Sequence, residues 1–322
     1  MNNINHYREE FLAHLKTSVA VKEPRNLYEP IDYILQLGGK RLRPVLTLIA
    51  ADLFGGDYRK ALPAAAAVEV FHNFSLVHDD IMDNASLRRG KATVHQKWNS
   101  NIAILSGDAM LICAYRLLES YPPDTFAALA KLFSKTALEV CEGQQWDMDF
   151  ETQTQVSIPQ YLQMIRYKTA VLVGAALQMG AIIAGTSVEN QKLIYDFGVT
   201  IGLAFQLQDD YLDTFGDEDF GKKIGGDILE NKKTILYLKA LALADEAQRN
   251  TLIAQYATTE ESDEKIAIVT QLFRQTGAAE AVRYEITRTT DEALNLLEHI
   301  TISDENRAYL KQFALELMNR KV

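Results

Sequence analysis

The sequence predicts an all-α protein, and three observations carry that expectation. Apolar residues recur at three- and four-residue spacing almost throughout, as in Phe11, Leu12, Leu15 and again in Ala293, Leu296, Leu297, Ile300. Period-two alternation bounded by turn residues is scarce. All seven prolines fall at or before Pro159, so 160–322 is free of that helix breaker.

Taken in order, the opening stretch MNNINHYREEFLAHLK is charged and amphipathic, which suits a helix and not a secretory leader. Gly38-Gly39 and Gly55-Gly56 punctuate the chain before the Ala- and Leu-rich run Leu62–Asp83, which is expected to form one helix. Tyr121-Pro122-Pro123-Asp124 and Thr152–Pro159 mark the next turns. Thr169–Val188 then runs for twenty residues without a charge, long enough to cross a bilayer. Gln178, three glycines and several Thr and Ser dilute it and no second span accompanies it, so the expectation is a helix inside a large helical core, not a membrane span. Val199–Leu207 opens a further apolar helix, and Gly216–Gly226, Thr258–Asp263 and Ser303–Glu305 are the later turns. No linker or composition shift interrupts the chain, which is read as a single domain, 1–322.

Composition narrows the function. With 48% hydrophobic residues the chain can bury a sizeable core, and its net charge of −10 speaks against a nucleic-acid partner. Its two cysteines, Cys113 and Cys141, belong to no CxxC or Cys/His cluster, which excludes a disulfide framework and structural zinc and fits a cytoplasmic protein.

The chemistry gathers at carboxylates. Asp79, Asp80 and Asp83 form a DDxxD cluster, with Asp79 and Asp83 one helical turn apart and Asp80 beside them. Alone, such a cluster reads more readily as a solvated acidic face than as a metal site. Its spacing recurs, however, at Asp209, Asp210 and Asp213, after another apolar helical run. If the two helices face each other, six carboxylates converge, which requires divalent cations and an anion bridging them. Oxygen ligands without His or Cys indicate Mg2+ or Mn2+. The cations are also bunched: Lys40, Arg41 and Arg43 in GGKRLRP, Arg88 and Arg89 in SLRRGK, Lys168, Lys222 and Lys223 in GKKIGGD, and Lys232 and Lys233 in ENKKT. Individually these are ordinary surface charges. Together with glycine pairs that bring backbone close, they suit phosphate. Two acidic nests, several cationic nests and an apolar interior imply a ligand with a polyphosphate head and a hydrocarbon tail. No GxxxxGK[ST] loop points to a nucleotide.

On these residues the chain resembles the trans-isoprenyl diphosphate synthases, the polyprenyl synthetase family. The resemblance runs nearly the whole length: GGKRLRP, HDDIMD with LRRG, Gly107-Asp108, EGQ at Glu142–Gln144, Lys168-Thr169, FQLQDDYLD and GKKIGGD with KKT. It departs where Asn231 replaces a frequent glycine and Lys223 a frequent proline, and the adjacent lysines leave Lys222 assigned by its GKxxGxD spacing. The resemblance implies an orthogonal helical bundle around a deep cavity, and Mg2+-dependent head-to-tail condensation of isopentenyl diphosphate with an allylic diphosphate (dimethylallyl, geranyl or farnesyl). Three Mg2+ ions would be held by Asp79, Asp83 and Asp209, supported by Asp80, Asp210 and Asp213. Arg88, Lys168, Lys222 and Lys232 would hold the allylic phosphates, and Thr169 and Gln206 would face the reacting carbon. Lys40, Arg43, His72 and Arg89 would hold isopentenyl diphosphate. His78, helical and beside Asp79, reads as a packing residue or a support behind the cluster. Phe74, beside the small Ser75, would act as a floor that sets product length, with geranylgeranyl diphosphate the first expectation and farnesyl diphosphate or a longer product the alternatives. A homodimer is implied as well. A class I terpene cyclase would need a different second metal motif in place of Asp209–Asp213. A ligand-free helical scaffold does not account for the paired nests.

Overall fold

A computed structural model describes residues 3–216, 224–258 and 262–318. Helices follow one another in the order α1 (Ile4–Ser18), α2 (Arg25–Gln36), α3 (Leu42–Leu53), a 3-10 turn (Tyr58–Ala61) and α4 (Leu62–Met82). A two-stranded ribbon, β1 (Leu87–Arg88) and β2 (Lys91–Ala92), leads into α5 (Val94–Lys97), α6 (Ser100–Leu118), α7 (Pro123–Thr152) and α8 (Ile158–Ile165). A π turn, Arg166–Ala170, precedes α9 (Val171–Ala184) and α10 (Val188–Phe215). The remaining elements are α11 (Gly226–Leu229), α12 (Ile235–Leu243), α13 (Glu246–Ala257), α14 (Asp263–Gln275), α15 (Ala278–Leu297) and α16 (Asp304–Met318). The all-α expectation is therefore met.

The chain divides into two compact units, residues 1–135 with 175–192 and residues 136–174 with 193–322. In the first, α4 is the central element. Pro63 sits in its first turn, where a missing N–H is harmless, and four successive alanines follow with no exposed surface. A helix apolar on every side belongs in a core. Around it lie Tyr7 and Phe11 of α1, Ile31 and Ile34 of α2, Leu46, Leu48 and Ile49 of α3, and Met110 and Ala114 of α6, all buried. Arg41 and Glu69 form a buried ion pair inside this unit, and Arg41 also donates to the Leu35 carbonyl. Of the three cations in GGKRLRP, this one is structural.

In the second unit, Leu207 of α10 packs in a core with Ile235 and Leu236 of α12, Val269 and Phe273 of α14, and Ala278 and Val282 of α15. Capping boxes fix the starts of α8 (Ser157 with Gln160) and α13 (Asp245 with Gln248).

Three local features depart from the sequence reading. The uncharged run 169–188 is not one helix. It begins inside the π turn and stops at Ala184, because Gly185 takes a left-handed φ of +73°. Nor does the uncharged run stand alone, contrary to the sequence reading: two stretches, Ser100–Leu118 and Ile158–Ala184, are long and apolar enough to cross a membrane by length and composition, and 61% of the apolar window of the second is buried. The ribbon was not foreseen. Its two turn residues, Arg89 and Gly90, have φ of +52° and +73°, the signature of a type I′ hairpin. That turn favours Asn-Gly, and an arginine at its first position hides it from sequence.

Candidate functional site

The first acidic cluster closes α4. Asp83 is the C-cap, and its N–H donates to the Asp79 carbonyl at 2.8 Å. Asp79 is half-buried and Asp83 exposed, while Asp80 has only 1% of its surface accessible. Asp80 is held by Arg88, whose Nε donates to both carboxylate oxygens at 2.8 and 2.9 Å and whose Nη2 lies 2.7 Å from Oδ1. The hairpin that follows α4 thus folds its arginine back onto the cluster. A buried carboxylate without such a partner is strongly destabilising.

The same hairpin projects Arg89 the other way. Its guanidinium donates to the Gly38 carbonyl and lies over Gly39, whose φ of +123° is one that side chains rarely adopt. Arg43 donates to His72 Nε2 at 3.2 Å. Burial, then Arg43, Arg89, Arg88 and Arg41, push the His72 pKa well below its usual 6.5, which leaves a neutral imidazole among guanidinium groups. Three of the four residues predicted for isopentenyl diphosphate, Arg43, His72 and Arg89, share one electrostatic neighbourhood, and Lys40 is exposed on the adjoining loop. The arginines around His72 give this pocket a positive field. Phe74 is buried, with its ring 5.5 Å from that of Phe71 and 4.8 Å from His78, and Ser75 bonds to the His72 carbonyl at 2.9 Å. His78 packs between Phe74 and the Ile104 carbonyl of α6, with its Nε2 3.9 Å from Asp108 Oδ1.

The second cluster lines a cavity of about 280 Å3 in the second unit. Asp209, Asp210 and Asp213 of α10 share its wall with Lys168, Thr169, Gln206 and Lys232, all predicted site residues, and with Asp147, Tyr161 and Asp227, which the sequence reading did not assign. Lys168 reaches this wall from the π turn. Such a turn inserts one residue into a helix and re-aims its side chains. It lies against α7 at Gly143 of the EGQ motif, where a Cβ would collide with the Lys168 backbone nitrogen. Lys168 Nζ donates to Asp147 Oδ2 at 2.5 Å. A hydrogen-bonded chain fixes the polar wall: Thr169 Oγ1 donates to Gln206 Oε1 at 3.3 Å, Gln206 Nε2 donates to Asp210 Oδ1 at 3.0 Å, and Tyr161 donates to Asp210 Oδ2. Asp213 Oδ2 accepts the Asp227 N–H at 3.0 Å.

Negative charge is in excess here. Burial first and Asp227 next, with Asp209 adding to them, push the Asp210 carboxyl up to about 8 despite its donors. Lys232 lies 2.5 Å from Glu230 and 3.8 Å from Asp227. Burial acts to lower its pKa, but Glu230, Asp227 and Asp147 outweigh that and raise it. Lys233 also lines the cavity and caps α7, donating to the Phe150 and Glu151 carbonyls. Lys222 and Lys223 lie outside the described residues.

Among the described residues, no three His, Cys, Asp or Glu side chains are drawn together so as to hold a metal by themselves. The donor set still fits Mg2+, which takes one or two carboxylates and completes its shell with water and substrate phosphate. A wall so rich in carboxylate that one is raised to about 8 is relieved by such an ion. A larger groove of about 530 Å3 along α15 contains none of the predicted site residues.

Comparison with known proteins follows the same lines. The model of the family described as Polyprenyl synthetase matches residues 24–273. A geranylgeranyl pyrophosphate synthase of Geoglobus acetivorans is 39% identical over 301 residues, 93% of this chain and 92% of its own. A crystal structure of a geranylgeranyl pyrophosphate synthase superposes with a TM-score of 0.96 at 54% identity, covering 100% of both chains. The Corynebacterium glutamicum geranylgeranyl pyrophosphate synthase, solved with isoprenyl diphosphate and magnesium, gives 0.86 at 29% identity over 98% of each chain.

Proposed function

The chain belongs to the polyprenyl synthetase family of prenyltransferases, and from that premise we propose that it joins isopentenyl diphosphate head-to-tail to an allylic prenyl diphosphate, with geranylgeranyl diphosphate as its main product. The observation that carries this reading is the cavity in which carboxylates, lysines, Thr169 and Gln206 line one wall. An allylic diphosphate offers a matching counterpart, with an anionic head for the cations and a carbon that turns positive as its C–O bond breaks.

In this reading Asp79, Asp83 and Asp209 would hold magnesium, three ions being the expectation, with Asp80, Asp210 and Asp213 supporting them. The chemistry the metal would supply there is Lewis-acid stabilisation of the departing diphosphate. Lys168 and Lys232, with Arg88 and Lys222, bind the phosphates and stabilise their growing negative charge. When the allylic C–O bond breaks, its electron pair leaves with the diphosphate. Thr169 and Gln206 present oxygen dipoles to the carbon left electron-poor, and the amide of Gln206 is held in orientation at both ends. Lys40, Arg43, His72 and Arg89 bind isopentenyl diphosphate without metal. Its double bond attacks the cationic carbon, and the proton then lost passes to the released diphosphate, so no side chain has to act as base. Phe74 sets product length as a floor beneath the growing chain.

The reading extends to a cytoplasmic homodimer. Leu105 and Ile112 of α6 are 60% and 58% exposed, an apolar face suited to a second copy, and light scattering on the purified protein tests it. The function itself is tested by incubation with isopentenyl diphosphate, Mg2+ and each allylic primer in turn, followed by chromatographic sizing. A twenty-carbon product is the expected result. No elongation with any primer overturns the reaction, and a farnesyl or longer product overturns the chain-length assignment alone.

A further inference from the structure

Lys265 is a lysine with only 2% of its surface accessible, in the first turn of α14. The position is unfavourable for a cation on two counts, since burial removes its water and a helix N-terminus carries partial positive charge. What the side chain obtains there is a specific set of oxygens. Nζ donates to Asn231 Oδ1 at 2.7 Å and to the Thr258 carbonyl at 3.1 Å. Asn231 Nδ2 donates to the same Thr258 carbonyl at 3.0 Å. Lysine, asparagine and carbonyl therefore form a closed triangle.

Asn231 is the pivot of the loop between α11 and α12. Its φ is +56°, in the left-handed region that asparagine enters more readily than other side chains. This explains how asparagine stands where many family members have glycine: the backbone demand is met, and the amide adds a bond that glycine cannot make. The next residue is Lys232, on the cavity wall, whose own N–H donates to the Asp227 carbonyl at 2.9 Å. The next residue of α14, Ile266, closes on Gly225, the N-cap of α11, where an added Cβ would stand 2.8 Å from Ile266 Cγ2. Two consecutive residues of α14 thus brace both ends of the segment that presents Asp227 and Lys232.

We propose that Lys265 is a positioning residue for the allylic diphosphate site: through Asn231 it fixes the loop that aims Lys232 into the cavity. The inference rests on the prenyl-diphosphate reading of that cavity. It concerns a side chain that touches no substrate, so its signature is selective.

The test compares full-length Lys265→Met, Asn231→Gly, Lys232→Gln and the Lys265→Met/Lys232→Gln pair. KM for the allylic diphosphate, KM for isopentenyl diphosphate and thermal midpoint are measured for each. Lys265→Met is expected to raise the allylic KM about tenfold, the size of one lost charged hydrogen bond, and to leave the isopentenyl KM unchanged. It adds nothing further once Lys232 is already Gln. Asn231→Gly keeps the left-handed backbone while deleting the acceptor, and is expected to raise the allylic KM about threefold at an unchanged thermal midpoint. It therefore answers the question even if the buried methionine prevents folding. A lower thermal midpoint with both KM values unchanged shows a merely structural lysine and overturns the inference. So does full additivity in the double variant, or an unchanged allylic KM in Asn231→Gly. An unchanged allylic KM in Lys232→Gln itself removes the diphosphate reading of the cavity and the inference with it. A raised KM in Lys232→Gln beside an unchanged one in Lys265→Met overturns the inference alone.

Discussion

The clusters at Asp79–Asp83 and Asp209–Asp213 have the same spelling and opposite electrostatics. At the end of α4 the middle aspartate, Asp80, is buried against a cation, with Arg88 gripping both of its oxygens. On α10 the middle aspartate, Asp210, is also buried, but its donors Tyr161 and Gln206 are neutral and its charged neighbours are other carboxylates. The charge of Asp80 is thus offset by a guanidinium, whereas burial and neighbouring carboxylates favour the protonated form of Asp210.

The largest expected effect asks whether both clusters serve one reaction. Asp80→Ala and Asp209→Ala should each lower Mg2+-dependent condensation by about a thousandfold or more with helicity near native. Retained turnover in either variant, measured with radiolabelled isopentenyl diphosphate, would sink the metal assignment. Next in size is stability without metal. Arg88→Met strands a buried carboxylate and should cost about 3 kcal/mol in urea unfolding. Asp210→Asn removes repulsion and should leave stability unchanged or improve it. If both variants move stability the same way, the contrast between the clusters fails. A third expectation concerns what lies beside the first cluster. Phe74→Ala should lengthen the product, and an unchanged product spectrum refutes the floor.

The smallest effect is the pH dependence of the arginine-rich pocket. The folded pKa of His72 lies below the unfolded 6.5, so unfolding takes up a proton at pH values between the two. The stability this gives is complete above about 6.5 and is lost as pH falls toward the folded pKa. Chemical denaturation at pH 7.5 and 5.5 should show a larger loss for the wild type than for His72→Gln. An equal loss would mean the imidazole is not held neutral.

What could be read from sequence follows from the range of the interactions involved. Periodicity along one helix is local, so Leu62–Asp83 was legible almost to the residue and the DDxxD spacing with it. The cavity wall was half legible. Lys168, Thr169 and Gln206 announce themselves by resemblance, and Asp227 stands in a quoted motif without a role having been given to it. Asp147 carried a faint signal, three residues after Gln144 of the EGQ motif, whereas Tyr161 carried none, because a buried tyrosine reads as ordinary core. The separate duties of neighbouring cations were invisible for the same reason. Arg41 and Arg43 stand two residues apart in one motif, yet one neutralises Glu69 and the other meets His72. Only partners distant in sequence distinguish them.

The π turn at Arg166–Ala170 has a consequence for how this stretch tolerates change in length. A regular α-helix advances about 100° per residue, so a chain one residue shorter here would run straight from α8 into α9 with its side chains turned by roughly that angle relative to one another. Within the second unit, Val171 and Val173 could then keep their buried places only if Met164 and Ile165 gave up theirs, or the reverse. The extra residue works as a phase shifter between these two buried pairs, and the surplus is taken up where Lys168 and Thr169 emerge. Substitutions in this segment should therefore be far better tolerated than single-residue deletions, a difference that a length-varying library scored for folding alone would reveal.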